Sequence, residues 1–137
     1  MKVILDTNVI FSAFAARGLA NAVFEVCLDK HTIIISEHIL SELQGNLQKK
    51  LRMPRHRSQL IIEYLRDFCI ISDFKRLDRR ICRDIDDVKI LGLSEMAKPD
   101  YIITGDADLL ALKGHQGVSI ITPREFWEIS KGKKQSL

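Results

Sequence analysis

The chain has 137 residues, a hydrophobic fraction of 46% and a formal net charge of +3, which is typical of one globular domain with its own core. No apolar run approaches the roughly 20 residues that a transmembrane helix needs. Asp6 interrupts the apolar N-terminus, which therefore predicts a first strand and not a signal peptide. The cysteines are odd in number and have no C-x-x-C spacing, which argues against a disulfide framework or a structural zinc site. We therefore expect a cytoplasmic protein without a membrane partner.

Short, continuously apolar runs predict strands in the ranges 2–5, 32–35, 69–72, 100–104 and 118–121. Apolar residues at helical spacing predict helices in the ranges 8–16, 21–29, 36–50, 58–68, 86–97 and 107–112. The residues Thr122-Pro123-Arg124-Glu125 form a capping box with proline at the first helical position, which predicts the start of a last helix.

Strands that are apolar on both faces alternate with helices along the chain, a pattern typical of a parallel sheet covered on both sides. We therefore predict an α/β fold, a three-layer α/β/α sandwich around a central parallel sheet of about five strands. No shift in composition marks a linker, so residues 1–130 are predicted to form a single domain and residues 131–137 a flexible basic tail.

Carboxylates follow the apolar strands at the points where a ligand would bind. Asp6 follows the first predicted strand and Asp106 the fourth, and ligands of open parallel sheets bind outside the carboxyl ends of the strands. If these strands are neighbours, about 4.8 Å apart, the two carboxylates can share one cation. Asp84 and Asp87 are three residues apart at a helix start, and Glu42 is one turn into the helix that follows the second strand.

Such carboxylates would repel one another by about 1–4 kcal/mol for each close pair, and a divalent cation removes that cost. Oxygen ligands favour Mg²⁺ or Mn²⁺, ions that serve phosphodiester hydrolysis. Asp6 and Asp106 are equally suited to N-capping the helices that follow them, and Glu42 to the solvated side of its helix. Their shared position on one rim of the sheet favours the metal site.

Lysine and arginine gather in two other stretches of the chain. These side chains are candidates for binding a nucleic-acid backbone, although basic runs are also common on solvated helix ends. The candidates are Lys49, Lys50, Arg52, Arg55, Arg57 and Arg83.

At these residues the chain resembles a PIN domain. The resemblance rests on four motifs in the order of the family, DTNV after the first strand, SEHILSEL after the second, RDIDDVKILGLS, and DYIITGDADLL followed by SIITPREFWE. It covers roughly residues 1–129 and is nearest to stand-alone prokaryotic PIN proteins that act as toxins of toxin–antitoxin pairs.

The resemblance implies a Rossmann-like sandwich and a metal-dependent ribonuclease that uses Mg²⁺ or Mn²⁺. By position, it implies four main metal ligands and catalytic acids, namely Asp6, Glu42, Asp87 and Asp106. It also implies auxiliary acids at Asp84 and Asp108, and ligand-orienting polar groups at Asn8 and Thr104. The implied partners are RNA, an antitoxin whose segment covers the acidic cleft, and a second copy of the chain in a homodimer.

Several alternatives remain open in the sequence. Asp86 lies between Asp84 and Asp87, so the main ligand among these three is not fixed, and Glu37 competes with Glu42. His38 is four residues before Glu42, but a histidine in such a place is more often a surface residue.

Two other functions compete with the nuclease. A phosphoacceptor receiver domain has a similar topology, and Asp73 would be its acceptor, but proline follows the fifth strand where that domain needs lysine. A PIN fold that only binds RNA or a protein, without turnover, is the second alternative. Phe14 and Phe24 are candidates for a partner groove or a dimer contact, although core packing is commoner for such residues.

Overall fold

The computed structural model describes residues 1–78, 80 and 84–135, with side chains to residue 132. Its strands are β1 (Lys2–Leu5), β2 (Thr32–Ile35), β3 (Ile70–Ile71), β4 (Tyr101–Ile103), β5 (Gly114–His115) and β6 (Val118–Ile121). Its helices are α1 (Thr7–Ala15), α2 (Leu19–Lys30), α3 (Glu37–Lys50), α4 (Arg55–Phe68), α5 (Ile85–Ala97), α6 (Ala107–Leu112) and α7 (Pro123–Gln135). The mostly parallel sheet with flanking helices confirms the predicted α/β fold.

The strands form one six-stranded sheet in the order β3-β2-β1-β4-β6-β5. All neighbours are parallel except β5 and β6. In the register of the two central strands Leu5 lies opposite Ile103, so the residues after these strands, Asp6 and Thr104, are adjacent on one rim. β1 and β4 are therefore neighbours, as a cation site shared by Asp6 and Asp106 requires.

The sheet supplies the centre of the core, because strands covered on both faces hold apolar side chains throughout. Val3, Ile4 and Leu5 of β1 are all fully buried. On one side Phe126 of α7 is fully buried, with its ring 6.0 Å from that of Tyr101, so the last helix is fixed against the sheet.

Two helix starts differ in how well they were predicted. Ser36 caps α3 as expected, with its hydroxyl accepting a hydrogen bond from the Ile39 amide at 3.2 Å. In contrast, α4 begins at Arg55 and not at Ser58, because Pro54 precedes the first turn and Ser58 is buried inside the helix. The Ser58 hydroxyl donates to the Arg55 carbonyl, so it serves the helix from within.

The sequence did not predict the strand β5, so the sheet has six strands where about five were expected. β5 pairs antiparallel with β6 across a turn at Gln116 and Gly117, whose φ angles are 48° and 83°. Two positive φ angles in succession match a type I′ turn, for which Asn-Gly is the usual signal. At the other end of the chain, α7 continues to Gln135, into the segment that was predicted as a flexible tail.

Among the described residues no single helix is long and apolar enough to cross a membrane, whereas α1 and α2, bent by 107°, meet the criteria of length and composition only as a pair.

Candidate active site

The Asp6 carboxylate is held by three hydrogen bonds at the end of β1. Its Oδ1 accepts from the Thr7 amide at 2.8 Å, while its Oδ2 accepts from Asn8 Nδ2 at 3.0 Å and from the Thr104 hydroxyl at 2.7 Å. A carboxylate oxygen has two lone pairs, so Oδ2 is fully used and Oδ1 keeps one lone pair for a ligand. Asp6 therefore caps α1 and remains able to bind a cation.

The predicted ligand-orienting residues both contact Asp6. Besides donating to Asp6, Asn8 accepts a hydrogen bond from the Gly105 amide at 3.1 Å, which ties α1 to the loop after β4. The Thr104 side chain is fully buried, and its hydroxyl also accepts from the Asp106 amide at 3.0 Å. Each residue therefore joins Asp6 to the loop that carries Asp106.

Asp87 is the most perturbed acid of this rim. It is 6% exposed, and its Oδ2 is buried with no hydrogen-bond partner. Burial raises the pKa of the Asp87 carboxyl to about 8, and Asp106 adds to the increase, followed by Asp84 and Asp6. A buried acceptor without a donor costs free energy, so this oxygen fits the position of a metal ligand.

Asp87, Asp106 and Asp108 form one group of potential ligands, with one oxygen of each within 4.8 Å of the others. Asp106 also caps α6, because its Oδ2 accepts from the Leu109 amide at 3.1 Å. Burial also raises the pKa of Asp6, with a contribution from Asp106 that the hydrogen bonds of Thr104 and Thr7 oppose. The charge of Asp106 therefore acts on Asp6 as well as on Asp87.

Glu42 lies in a second group with His38 and Asp86. Its Oε1 accepts from the Thr7 hydroxyl at 2.9 Å and is 3.5 Å from His38 Nε2, which is 2.8 Å from Asp86 Oδ1. Of the four predicted main acids, Asp87 and Asp106 thus lie in the first group and Glu42 in the second, whereas Asp6 belongs to neither and accepts from Thr104 and Thr7. The sequence left Asp86 open as an alternative to Asp87 and favoured a surface position for His38, and the structure places both beside Glu42.

The three aspartates of the RDIDD stretch have different places. Asp84 is exposed and caps α5 by accepting from the Asp86 amide at 2.8 Å. Asp87 lies with Asp106, whereas Asp86 lies with His38 and Glu42. Asp87 is therefore the best-placed metal ligand of the three, and Asp84 acts on it through charge.

Glu37, the competitor of Glu42, faces away from both groups. It forms an exposed ion pair with Arg66 of α4, in which Oε2 accepts from Nη2 at 2.7 Å. The Arg66 guanidinium holds the pKa of Glu37 below its usual value. Asp73, the acceptor of the receiver alternative, follows the edge strand β3, which β2 separates from β1 and Asp6.

The predicted RNA-binding residues lie away from the acids. Lys49 and Lys50 end α3, so Lys50 is about 12 Å along the helix axis from Glu42. Both are exposed, as are Arg52, Arg55 and Arg57. Arg83 lies outside the described residues. The role of these side chains stays a prediction.

Residues 2–108 match the family model of the PIN domain. The chain belongs to the PIN-domain family. This confirms the resemblance found in the sequence and excludes the receiver alternative. Among curated proteins, none matches the sequence of this PIN domain significantly.

Solved structures of toxin–antitoxin proteins share the fold of this PIN domain. VapBC2 from Rickettsia felis, bound to a DNA fragment from its promoter, has 16% sequence identity and a TM-score of 0.64, over 89% of this chain and 98% of that chain. A toxin–antitoxin complex from Klebsiella pneumoniae has 19% identity and a TM-score of 0.61, over 88% and 97%. VapC20 from Mycobacterium tuberculosis, a toxin that cleaves the sarcin–ricin loop, has 18% identity and a TM-score of 0.58, over 85% and 98%.

Proposed function

We propose that this PIN-domain protein is an endoribonuclease that hydrolyses RNA phosphodiester bonds with Mg²⁺ or Mn²⁺, and that it is the toxin of a toxin–antitoxin pair. The observation that carries the proposal is the buried Asp87 carboxylate, which is grouped with Asp106 and Asp108 and has one oxygen without a hydrogen-bond partner among the described residues. In a metal-free protein this arrangement is costly, and a cation would compensate it.

The donor set fits a hard divalent ion. Asp87, Asp106 and Asp108 offer one carboxylate oxygen each, and Asp6 Oδ1 keeps a lone pair. When bound, such an ion polarises a phosphoryl oxygen and lowers the pKa of a water ligand. We assign Asp6, Asp87 and Asp106 to holding the ion, and Glu42 to positioning water or a second ion.

The protein's own groups keep these acids in place. Thr104 and Asn8 fix the Asp6 carboxylate through its Oδ2, while Oδ1 accepts from the Thr7 amide and keeps one lone pair that an ion would use. Thr7 holds Glu42 at 2.9 Å. The proposed RNA contacts are the basic residues at the end of α3 and the start of α4, which would bind phosphates of the RNA backbone.

Cleavage by the Asp87→Asn variant tests the proposal. We expect wild-type protein with Mn²⁺ or Mg²⁺ to cut single-stranded or structured RNA, and the variant to fall to the level of wild type in a chelator. Asp67→Asn, an exposed aspartate of α4, is the matched control and should cut at the wild-type rate. If Asp87→Asn cuts as fast as wild type, the proposed site is wrong, and absence of Mn²⁺ binding would favour a binding module without turnover.

A protein partner is supported by an apolar groove of about 390 Å³ between α1, α2 and α4. Its lining includes Phe14 and Phe24, whose rings are 5.3 Å apart, and the exposed Leu60 and Tyr64. The similar VapBC2 and Klebsiella structures contain antitoxins. We propose an antitoxin as the partner, a homodimer as the assembly and the cytoplasm as the location. Light scattering of the chain, alone and with the product of an adjacent short reading frame, tests both assemblies.

A further inference from the structure

The group formed by His38, Glu42 and Asp86 differs in chemistry from the other acidic group. Two groups of the described residues place three ligand atoms within 4.8 Å of one another. One has only carboxylates, whereas the other combines an imidazole with two carboxylates from two helices, α3 and α5. Imidazole nitrogen is a poor ligand for Mg²⁺ and a good one for first-row transition ions.

The distances within this group match those between ligands of one ion. His38 Nε2 lies 2.8 Å from Asp86 Oδ1 and 3.5 Å from Glu42 Oε1. Two ligands that are each about 2.1 Å from an ion are about 3.0 Å apart at a right angle and about 3.4 Å apart at a tetrahedral angle. An ion can therefore replace the His38–Asp86 hydrogen bond without a large movement of either helix.

The side chains are oriented and accessible at the same time. The Thr7 hydroxyl fixes Glu42, and the side chains of His38, Glu42 and Asp86 are 21%, 28% and 43% exposed. Water can therefore complete the coordination of an ion.

We propose that His38, Glu42 and Asp86 form a second cation site, which takes a first-row transition ion such as Mn²⁺ through one imidazole nitrogen and two carboxylates. Binding requires a lone pair on Nε2, so the ring hydrogen must be on Nδ1. Lys89 Nζ is 3.5 Å from Nδ1 and has to turn away. The site rests on the proposed function only in sharing Glu42 with it.

Pulsed electron paramagnetic resonance of the Mn²⁺-loaded full chain tests this site directly, because a coordinated imidazole gives a ¹⁴N modulation that carboxylates and water do not. We expect the modulation in the wild type and its loss in His38→Ala, with bound Mn²⁺ falling from about two ions to about one per chain. Asp86→Asn, which keeps the histidine, should weaken binding at the same site. His115→Ala is the matched control, since His115 lies 2.7 Å from Glu95 but belongs to neither group of three potential ligands among the described residues.

The outcomes separate this inference from the proposed nuclease. The second site is overturned if the wild type shows no ¹⁴N modulation. It is also overturned if His38→Ala keeps both the modulation and the second bound Mn²⁺ ion. If a wild type without the modulation still cuts RNA and Asp87→Asn does not, the proposed nuclease is supported without a second cation site. A ¹⁴N signal in a chain that never cuts RNA supports the site and overturns the nuclease.

Discussion

Replacing Asp87 by Asn should stabilise the metal-free protein at neutral and alkaline pH. Asp87 is 6% exposed, and one of its oxygens has no hydrogen-bond donor. Asparagine has nearly the same shape but never becomes charged. The substitution therefore removes the cost of keeping the buried carboxyl protonated at neutral pH, and the cost of a buried negative charge beside Asp106 above about pH 8. It leaves the surrounding side chains in place.

The size of the effect follows from the pKa of Asp87, which burial raises to about 8 in the folded chain, against about 3.9 in an unfolded one. Below about pH 4 the carboxyl is protonated in both the folded and the unfolded state, so it does not reduce the free energy of unfolding. Between about pH 4 and 8 the folded state holds a proton that the unfolded state has lost. The free energy of unfolding therefore falls by up to about 1.4 kcal/mol for each pH unit, and by about 5–6 kcal/mol in total once pH has passed 8.

Thermal unfolding in a chelator, followed by circular dichroism from pH 4 to pH 9, measures this difference. We expect the Tm of Asp87→Asn relative to wild type to rise steadily with pH, since about 1 kcal/mol corresponds to roughly 3–5 °C in a domain of this size. Mn²⁺ should raise the Tm of the wild type much more than that of the variant. A Tm difference that does not change between pH 4 and pH 9 would refute the reasoning, and Asp67→Asn, at an exposed aspartate of α4, is the matched control.

Two further substitutions test packing and hydrogen bonding around the site. Gly92→Ala should destabilise the protein by about 2 kcal/mol or more, since its added Cβ would lie 1.9 Å from the Lys75 carbonyl oxygen, and a Tm equal to wild type would contradict this packing. Thr104→Val keeps the shape but removes the hydroxyl that bonds Asp6 and the Asp106 amide. It should cost about 1–3 kcal/mol and weaken Mn²⁺ binding in a calorimetric titration, whereas Thr104→Ser should restore both.

The fold was predictable where local patterns agree with tertiary structure. The buried parallel strands are continuously apolar, and Ser36 and the residues 122–125 cap their helices as expected. β5 was not predictable, because its two residues carry no strand pattern. The turn after it was not predictable either, because Gln116 adopts a positive φ and glutamine is not a residue type that indicates one. α4 begins at Arg55, three residues before the predicted range 58–68 and within the stretch around Pro54 that the sequence favours as a turn or helix start, while Ser58 bonds within the helix.

The site was predictable at the strand ends and not in the RDIDD stretch. Asp6 and Thr104 follow paired strands, so their proximity follows from the sheet alone. Successive residues of a helix point about 100° apart, so Asp86 and Asp87 must face different groups. Which of the two faces Asp106 depends on the phase of α5 against the sheet, and that phase is set by packing at Val88, Ile90 and Leu91, which a single sequence does not orient.

The two acidic groups are joined by the turn that follows β1. The Thr7 amide holds Asp6 Oδ1, and its hydroxyl holds Glu42, while Thr104 connects the same aspartate to Asp106. The Thr7 hydroxyl thus fixes Glu42 next to the end of β1, a contact that an apolar residue at this position would lack. Thr104 makes the corresponding contact on the other side of Asp6, so the two threonines place both acidic groups beside the same strand end.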